Sequence, residues 1–151
     1  GCSLPMGSLS LFTKYVSGLF PTKEERKAIR AQVEEELEKA RPAGLRCRHL
    51  TGVGGTIRAA AKLYNACSGA DPANRVIPAE ELRGLYKELK KGDQGTLRQI
   101  LRTAPDRVHT ILPGLMLMNT LTDKLCRKEL YISPYGVREG YLCHKLLNAG
   151  T

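Results

Sequence analysis

Apolar residues recur at every fourth position through the first third of the chain, at Ile29, Val33 and Leu37, with charged residues filling the gaps. That period predicts an amphipathic helix over residues 23–41. Glu24/Lys27, Glu35/Lys39 and Glu38/Arg41 are spaced to pair along its wet side. Thr22, with Glu25 three residues on, forms a capping box at its start, and Pro42-Ala-Gly44 supplies the stop. Ahead of it the period changes: Leu9, Leu11 and Thr13 alternate, which predicts a half-buried strand inside residues 3–16. Pro5 and Gly7 at its head place that strand at a sheet edge.

A short apolar and β-branched run over residues 45–51 predicts a strand. It feeds directly into the glycine cluster of Leu50-Thr-Gly-Val-Gly-Gly-Thr-Ile-Arg-Ala-Ala-Ala61. Ile57, Ala60, Ala61 and Tyr64 then follow a helical period, so a helix is expected over residues 56–64. Residues 65–74 hold Ser, Gly, Asp, Pro and Asn and read as a surface loop. A helix opens at Pro78-Ala-Glu-Glu81, its first-turn acids matched to the helix dipole, with Leu82, Leu85, Tyr86 and Leu89 on one face. A short helix follows over 96–102. The segment 110–121 is apolar nearly all round and should be the most buried helix, with Pro113-Gly114 kinking it or admitting a neighbour. Residues 129–133 form a last strand and 137–147 a closing helix. The expected class is α/β, with helices outnumbering strands.

A strand, a glycine turn and a helix in that order set backbone N–H groups at a helix N-terminus, where an anion or a nucleotide can be met. Glycine serves there because a side chain would block both left-handed dihedrals and close approach. The same arrangement is also a plain packing device.

Composition narrows the chemistry. The chain has 151 residues, the length of one domain, with ordinary hydrophobic (42%) and charged (26%) content. Its balance is basic, 24 Lys+Arg against 15 Asp+Glu for a formal charge of +9, a field that draws polyanions. Aromatics at 5% and the absence of Trp argue against base-stacking platforms. The five cysteines, Cys2, Cys47, Cys67, Cys126 and Cys143, are odd in number and scattered. They share no metal-like spacing with His49, His109 or His144, so neither a metal site nor a disulfide framework is expected. Free thiols point to a reducing compartment, hence a cytoplasmic protein. No membrane span and no signal peptide is visible. The chain opens Gly1-Cys2 rather than with Met, as a piece of something longer would.

Four stretches stand in a telling order: Leu4-Pro-Met-Gly-Ser-Leu-Ser-Leu11, Gly52-Val-Gly-Gly-Thr-Ile-Arg58, Asp106-Arg107 ahead of the apolar helix with Gly114, and Ser133-Pro-Tyr-Gly-Val-Arg-Glu-Gly140. Together they resemble the Ppx/GppA family of exopolyphosphatases and guanosine pentaphosphate phosphohydrolases, from Leu4 to about Leu147. The resemblance implies a two-domain, ribonuclease-H-like (actin-like ATPase) architecture with ligands in the cleft between the domains. This chain resembles the later part of the second domain, an incomplete unit of mixed sheet and flanking helices filling residues 1–151. The first domain, with its Asp-containing phosphate loop and catalytic glutamate, is missing, and so is the glycine-rich strand that opens the second.

By resemblance, Gly52, Gly54, Gly55 and Thr56 face the substrate phosphates, and Arg107 lies near the cleft to hold phosphate oxygens. Arg58, Arg138 and Glu139 are further candidates. For the last two the competing reading is an ion pair tying the final helix to the sheet. No catalytic residue and no metal ligand is assigned to this chain; Mg is implied only for the intact, bacterial enzyme. The implied partners are polyphosphate or guanosine penta- and tetraphosphate, with no specific nucleic acid and no membrane. Either a homo-oligomer or pairing with the missing domain is expected. The reading that follows is a fragment of a phosphoanhydride hydrolase. The alternatives are a non-enzymatic polyanion- or nucleic-acid-binding module, and a scaffold fragment whose edge strand, at residues 9–12, recruits another chain.

Overall fold

The computed structural model describes residues 3–40 and 46–148. The expected helix stop at 42–44, the pairing of Glu38 with Arg41 and the start of the first strand at Leu45 lie outside the described residues. The elements run α1 (Ser8–Tyr15), α2 (Lys23–Ala40), β1 (Cys47–Gly52), α3 (Gly55–Ser68), β2 (Val76–Pro78), α4 (Ala79–Leu89), α5 (Gln94–Thr103), a 3-10 turn (Pro105–Arg107), α6 (Ile111–Leu125), β3 (Cys126–Ile132) and α7 (Val137–Asn148).

One expectation fails outright: residues 8–15 are helix, not an edge strand. The Ser10 hydroxyl accepts from Gly7 N–H at 2.8 Å and donates to the Gly7 carbonyl at 3.0 Å, which caps a helix start. Leu11 points into the core while Leu9 is 66% exposed, so the Leu9/Leu11 alternation was not the pattern the fold uses. Elsewhere the capping box at α2 forms as expected. Thr22 N–H donates to Glu25 at 2.8 Å, and Glu25 N–H donates to the Thr22 hydroxyl at 3.2 Å. Glu35 pairs with Lys39 at 2.7 Å, whereas Lys27 makes no ion pair with any described residue.

The sheet has three strands in the order β1-β3-β2, β1 parallel and β2 antiparallel to β3. Leu50 and Ile77 flank Leu130 in register. β2 was not expected. Its neighbourhood is held by Asn65, read as the start of a loop but buried inside α3. There its amide bonds Asn74 in both directions, at 3.0 and 3.1 Å. Among the described residues β1 and β2 each pair only with β3, so the sheet edges lie at β1 and β2 and not at residues 9–12.

α6 is the keel. Ile111, Leu112 and Leu115 join Leu63, Ile77, Leu82, Ile100, Leu130 and Ile132 in the main core, while Met116 joins Leu11, Ile29 and Val33 in a second cluster under α1 and α2. α7 stands apart from both. Val137, Tyr141, Leu142, Leu146 and Leu147 on it are all exposed.

Candidate functional site

β1 and β3 run parallel, so their carboxyl ends open on one edge of the sheet, where ligands of open α/β sheets are held. The two ends are tied together: Ser133 N–H donates to the Gly52 carbonyl at 2.9 Å. From Gly52 the chain crosses Val53 and Gly54 into α3. Gly54 sits at φ 128°, ψ 174°, a conformation open to glycine alone, and is the N-cap of α3. Having no side chain, it leaves the first-turn N–H groups of α3 without a side-chain cap. Those donors lie at the positive end of the helix dipole, where the sequence reading expects an anion to be met.

Arg107 arrives from the 3-10 turn, whose own N–H is fixed to the Ala104 carbonyl at 3.0 Å. Its guanidinium lies directly on Gly55: a Cβ there would stand 2.6 Å from Nη2 and 3.2 Å from Cζ. Gly55 is thus a glycine because of Arg107, not because of its dihedrals. The Arg107 Nε keeps a 3.3 Å contact with Asp106. Arg58, a turn into α3, turns the same way, its Nη1 donating to the Pro134 carbonyl at 3.2 Å. Lys62 and Arg75 complete a cavity of about 390 Å³ lined by Gly55, Arg58, Lys62, Arg75, Asp106 and Arg107. It sets four cations against one carboxylate. Among the described residues neither the Lys62 ammonium nor the Arg75 guanidinium has a hydrogen-bond or ion-pair partner.

Sequence reasoning missed these two. Lys62 was findable, since it follows Arg58 by four residues on the face that Gly55 begins. Arg75 was not, because its place depends on its carbonyl accepting from Ile132 N–H at 2.8 Å, beside a strand that carries no period of its own.

The other expected site residues divide. Gly52 has a packing reason, since a Cβ there would meet Ile57 Cγ1 at 2.7 Å. Thr56 shares a 3.0 Å hydrogen bond with Ser8, and its methyl rests where Gly114 leaves room. Gly114 therefore admits a neighbour, as expected. Gly52, Gly54, Gly55 and Thr56 also line a second, mainly apolar cavity of about 450 Å³ against Leu117, Met118 and Leu121 of α6. Arg138 and Glu139 lie outside both cavities and make no ion pair with each other among the described residues. Glu139 instead turns back to accept from Gly136 N–H at 2.7 Å, capping α7. Its own N–H and that of Gly136 hold its carboxyl below the usual value, with Arg58 and Arg138 adding to the effect.

The Mg that the resemblance implies needs oxygen ligands. Among the described residues Asp106, already against Arg107, is the one carboxylate lining the cavity at the glycine turn, and no group of three or more His, Cys, Asp or Glu could hold a metal ion. The residues present do not make a Mg site by themselves. No described helix is long and apolar enough to cross a membrane.

A glycine turn at the carboxyl edge of a mixed sheet, with helices on its flanks, is the arrangement of an actin-like α/β fold. Solved structures of that fold superpose on the chain. A Ppx/GppA family member from Aquifex aeolicus matches at 24% identity and a TM-score of 0.79, covering 98% of this chain and 49% of its own. An exopolyphosphatase from Cytophaga hutchinsonii matches at 18% identity and a TM-score of 0.71, covering 95% and 48%. The chain thus spans about half the length of these structures. A search of the curated proteins returned no match. The profile of the Ppx/GppA phosphatase family matches residues 1–149, and the chain belongs to that family.

Proposed function

We propose that this chain forms the second-domain wall of a phosphoanhydride-hydrolysing cleft. In the intact enzyme, water attacks the terminal phosphoanhydride of polyphosphate or of guanosine pentaphosphate, and inorganic phosphate leaves. The observation that carries the reading is the seating of the Arg107 guanidinium on Gly55, beside the uncapped N-terminus of α3. One phosphate group there would receive backbone N–H donors from α3 and a charge-assisted pair from Arg107. Arg58, Lys62 and Arg75 would then neutralise the following negative charges. Phosphoryl transfer depends on positioning and charge neutralisation more than on covalent chemistry, and those are what this wall supplies. Magnesium in the assembled enzyme would add charge neutralisation of its own. No side chain here is assigned as general base, so the wall binds and orients while the opposite domain carries proton transfer.

The test is direct binding of inorganic tripolyphosphate by calorimetry. A charge-assisted hydrogen bond contributes about 1.5–3 kcal/mol, so Arg107→Ala should weaken the glycine-turn site by about 10- to 150-fold. Gly55→Val should do nearly the same by pushing the guanidinium aside. Its fold should survive, because the displaced group is the free end of a flexible side chain. Unchanged affinity in both variants would refute the proposal.

A further inference from the structure

On the far side of α6 lies a second cationic pocket, of about 290 Å³, sharing no lining residue with the cavities at the glycine turn. Lys23, Arg26, Lys27 and Arg30 line it from α2, Tyr86 and Lys90 from α4 and its C-cap, and Asn119 and Thr120 from α6. No carboxylate lines it. The placement works against helix physics in two ways. Residues 23, 26, 27 and 30 stand three and four apart, where like charges repel. They also crowd the N-terminal half of α2, the positive end of its dipole.

The fold neutralises this charge only in part. Arg30 is held by Glu34, a turn further on, at 3.1 Å. The Lys23 and Lys27 ammonium groups have no hydrogen-bond or ion-pair partner among the described residues. Arg26 is fixed in place instead of being neutralised: its Nη1 donates to the Pro21 carbonyl at 2.7 Å and the Lys90 carbonyl at 3.4 Å. A guanidinium pinned by carbonyls keeps its charge and its remaining N–H groups for something else.

Two neutral groups also line the pocket: Tyr86 offers a hydroxyl donor and Asn119 its amide N–H, while the Asn119 Oδ1 is an acceptor that an anion does not satisfy. Tyr86 is half-buried, and its hydroxyl bonds no described residue. Burial pushes its phenol up against the opposite pull of Arg26 and Arg30, so it remains an O–H donor at neutral pH. Asn119 is buried, yet its amide N–H reaches only Asp123 at a long 3.5 Å, and its Oδ1 finds no donor among the described residues. Asp123 is already taken by Arg83 at 2.7 Å. The pocket is thus a set of donors and cations on three helices with little opposite them.

We infer that this pocket is a second anion site, separate from the phosphatase cleft, which takes a small ligand bearing a triphosphate group. Lys23, Lys27 and Arg26 neutralise the phosphates, and Tyr86 O–H donates to one oxygen. Of the helices that meet there, α2 supplies Ile29 and Val33 and α6 supplies Met116 of the second core cluster, with Tyr86 of α4 packed against it, so the ligand would clamp α2 to α4 and α6.

The experiment uses the full chain carrying Arg107→Ala, which lowers the affinity of the glycine-turn site by about 10- to 150-fold and so moves it out of the range titrated. Inorganic tripolyphosphate is titrated at about 0.15 M salt, where loose surface association is screened. The expected result is saturable binding that shifts the Asn119 side-chain amide and Tyr86 ring resonances. Lys23→Gln with Lys27→Gln should then weaken it by about tenfold or more. The control pair Arg98→Gln and Arg102→Gln, exposed on α5 and outside the pocket, should weaken it by less than about twofold. GTP in place of tripolyphosphate separates the sources: equal affinity means that the phosphate chain alone is read, tighter binding that a nucleotide is the ligand. Three results would overturn the inference: no saturable binding in this background, an equal loss in the control pair, or duplex RNA outcompeting tripolyphosphate at that salt. Because Arg107 is already absent, none of them bears on the glycine-turn reading, which fails only if Arg107→Ala and Gly55→Val leave that site intact.

Discussion

Alanine at Gly114 tests whether the glycine turn is held from below. The added Cβ would stand 2.3 Å from Thr56 Cγ2 and 3.3 Å from Ser8 Cβ, so something must move by more than an ångström. Thr56 is a poor candidate to yield: it is β-branched and stiff, and its hydroxyl is bonded to Ser8 at 3.0 Å. Two effects compete. Alanine gains about 1 kcal/mol over glycine in a helix interior. Overpacking a filled site costs about 1–3 kcal/mol, and a lost hydrogen bond about 1 more. The clash should win by about 1–3 kcal/mol, a fall in Tm of about 2–12 °C for a domain of this size. Urea unfolding followed by circular dichroism should show a lower midpoint at unchanged slope. Thr56→Ser supplies the internal check, because it deletes the methyl and keeps the hydroxyl. Combined with Gly114→Ala it should recover most of the loss, a coupling that only direct contact produces. A Gly114→Ala protein as stable as the parent, or a double variant with no recovery, would show that the contact does not govern the turn.

Leu63, fully buried in the main core, should cost about 2–5 kcal/mol on truncation to alanine, measured by the same unfolding assay. Stability should also fall in acid. Asp93, which caps α5 by accepting from Thr96 N–H at 2.7 Å, and Glu25, which accepts first from Thr22 N–H and then from Ser17, are both held below their ordinary values of 3.8 and 4.5. Depressed carboxylates stabilise the fold fully above those values and release that stability as pH falls through the lowered ones. A pH series of unfolding midpoints should therefore decline below about pH 4.5, less steeply in Asp93→Asn. Duplex DNA should bind weakly and without sequence preference, losing affinity steeply between about 50 and 200 mM salt, as counterion release requires. The purified chain should release no phosphate from long-chain polyphosphate, and a malachite-green assay checks this.

What the sequence made legible was whatever depends on neighbours three or four residues apart. The α2 stripe of Ile29, Val33 and Leu37, the Thr22–Glu25 capping box and the buried α6 all emerge from local period and local hydrogen bonds. The glycine turn was readable for the same reason, since strand, Gly54 and helix follow one another directly. The misreadings share a different cause. α1 was mistaken for a strand because Leu9 and Leu11 alternate. The cap at Gly7–Ser10 and the contact of Ser8 with Thr56, 48 residues away, decide otherwise. Asn65 has the composition of a loop, but its hydrogen bonds to Asn74 are made by chain reversal. The juxtaposition of Arg107 with Gly55 was expected only through family resemblance. Of the cations that extend it, Lys62 follows Arg58 by one helical turn and was readable, but Arg75 joins them from a separate element and no spacing along the chain announces that meeting.

The glycines around the turn look alike in sequence, but each answers to a different neighbour. Gly52 yields to Ile57 and Gly114 to Thr56, both hydrophobic contacts that position α3 against β1 and α6. Gly54 is fixed by its own dihedrals, with nothing within 4 Å of where its Cβ would lie. Gly55 yields to the Arg107 guanidinium. The first two therefore belong to stability, and substituting them should lower the unfolding midpoint before it changes affinity. Gly55 belongs to binding, because what it displaces is charged and mobile, so affinity should fall while the fold holds. Gly54 stands between: alanine there meets no atom but must enter a region that costs about 1–2 kcal/mol for a residue with a Cβ. If that cost is relieved by tilting the first turn of α3, the N–H donors turn with it. Gly54→Ala is then the one substitution at this turn in which stability and phosphate affinity should fall together.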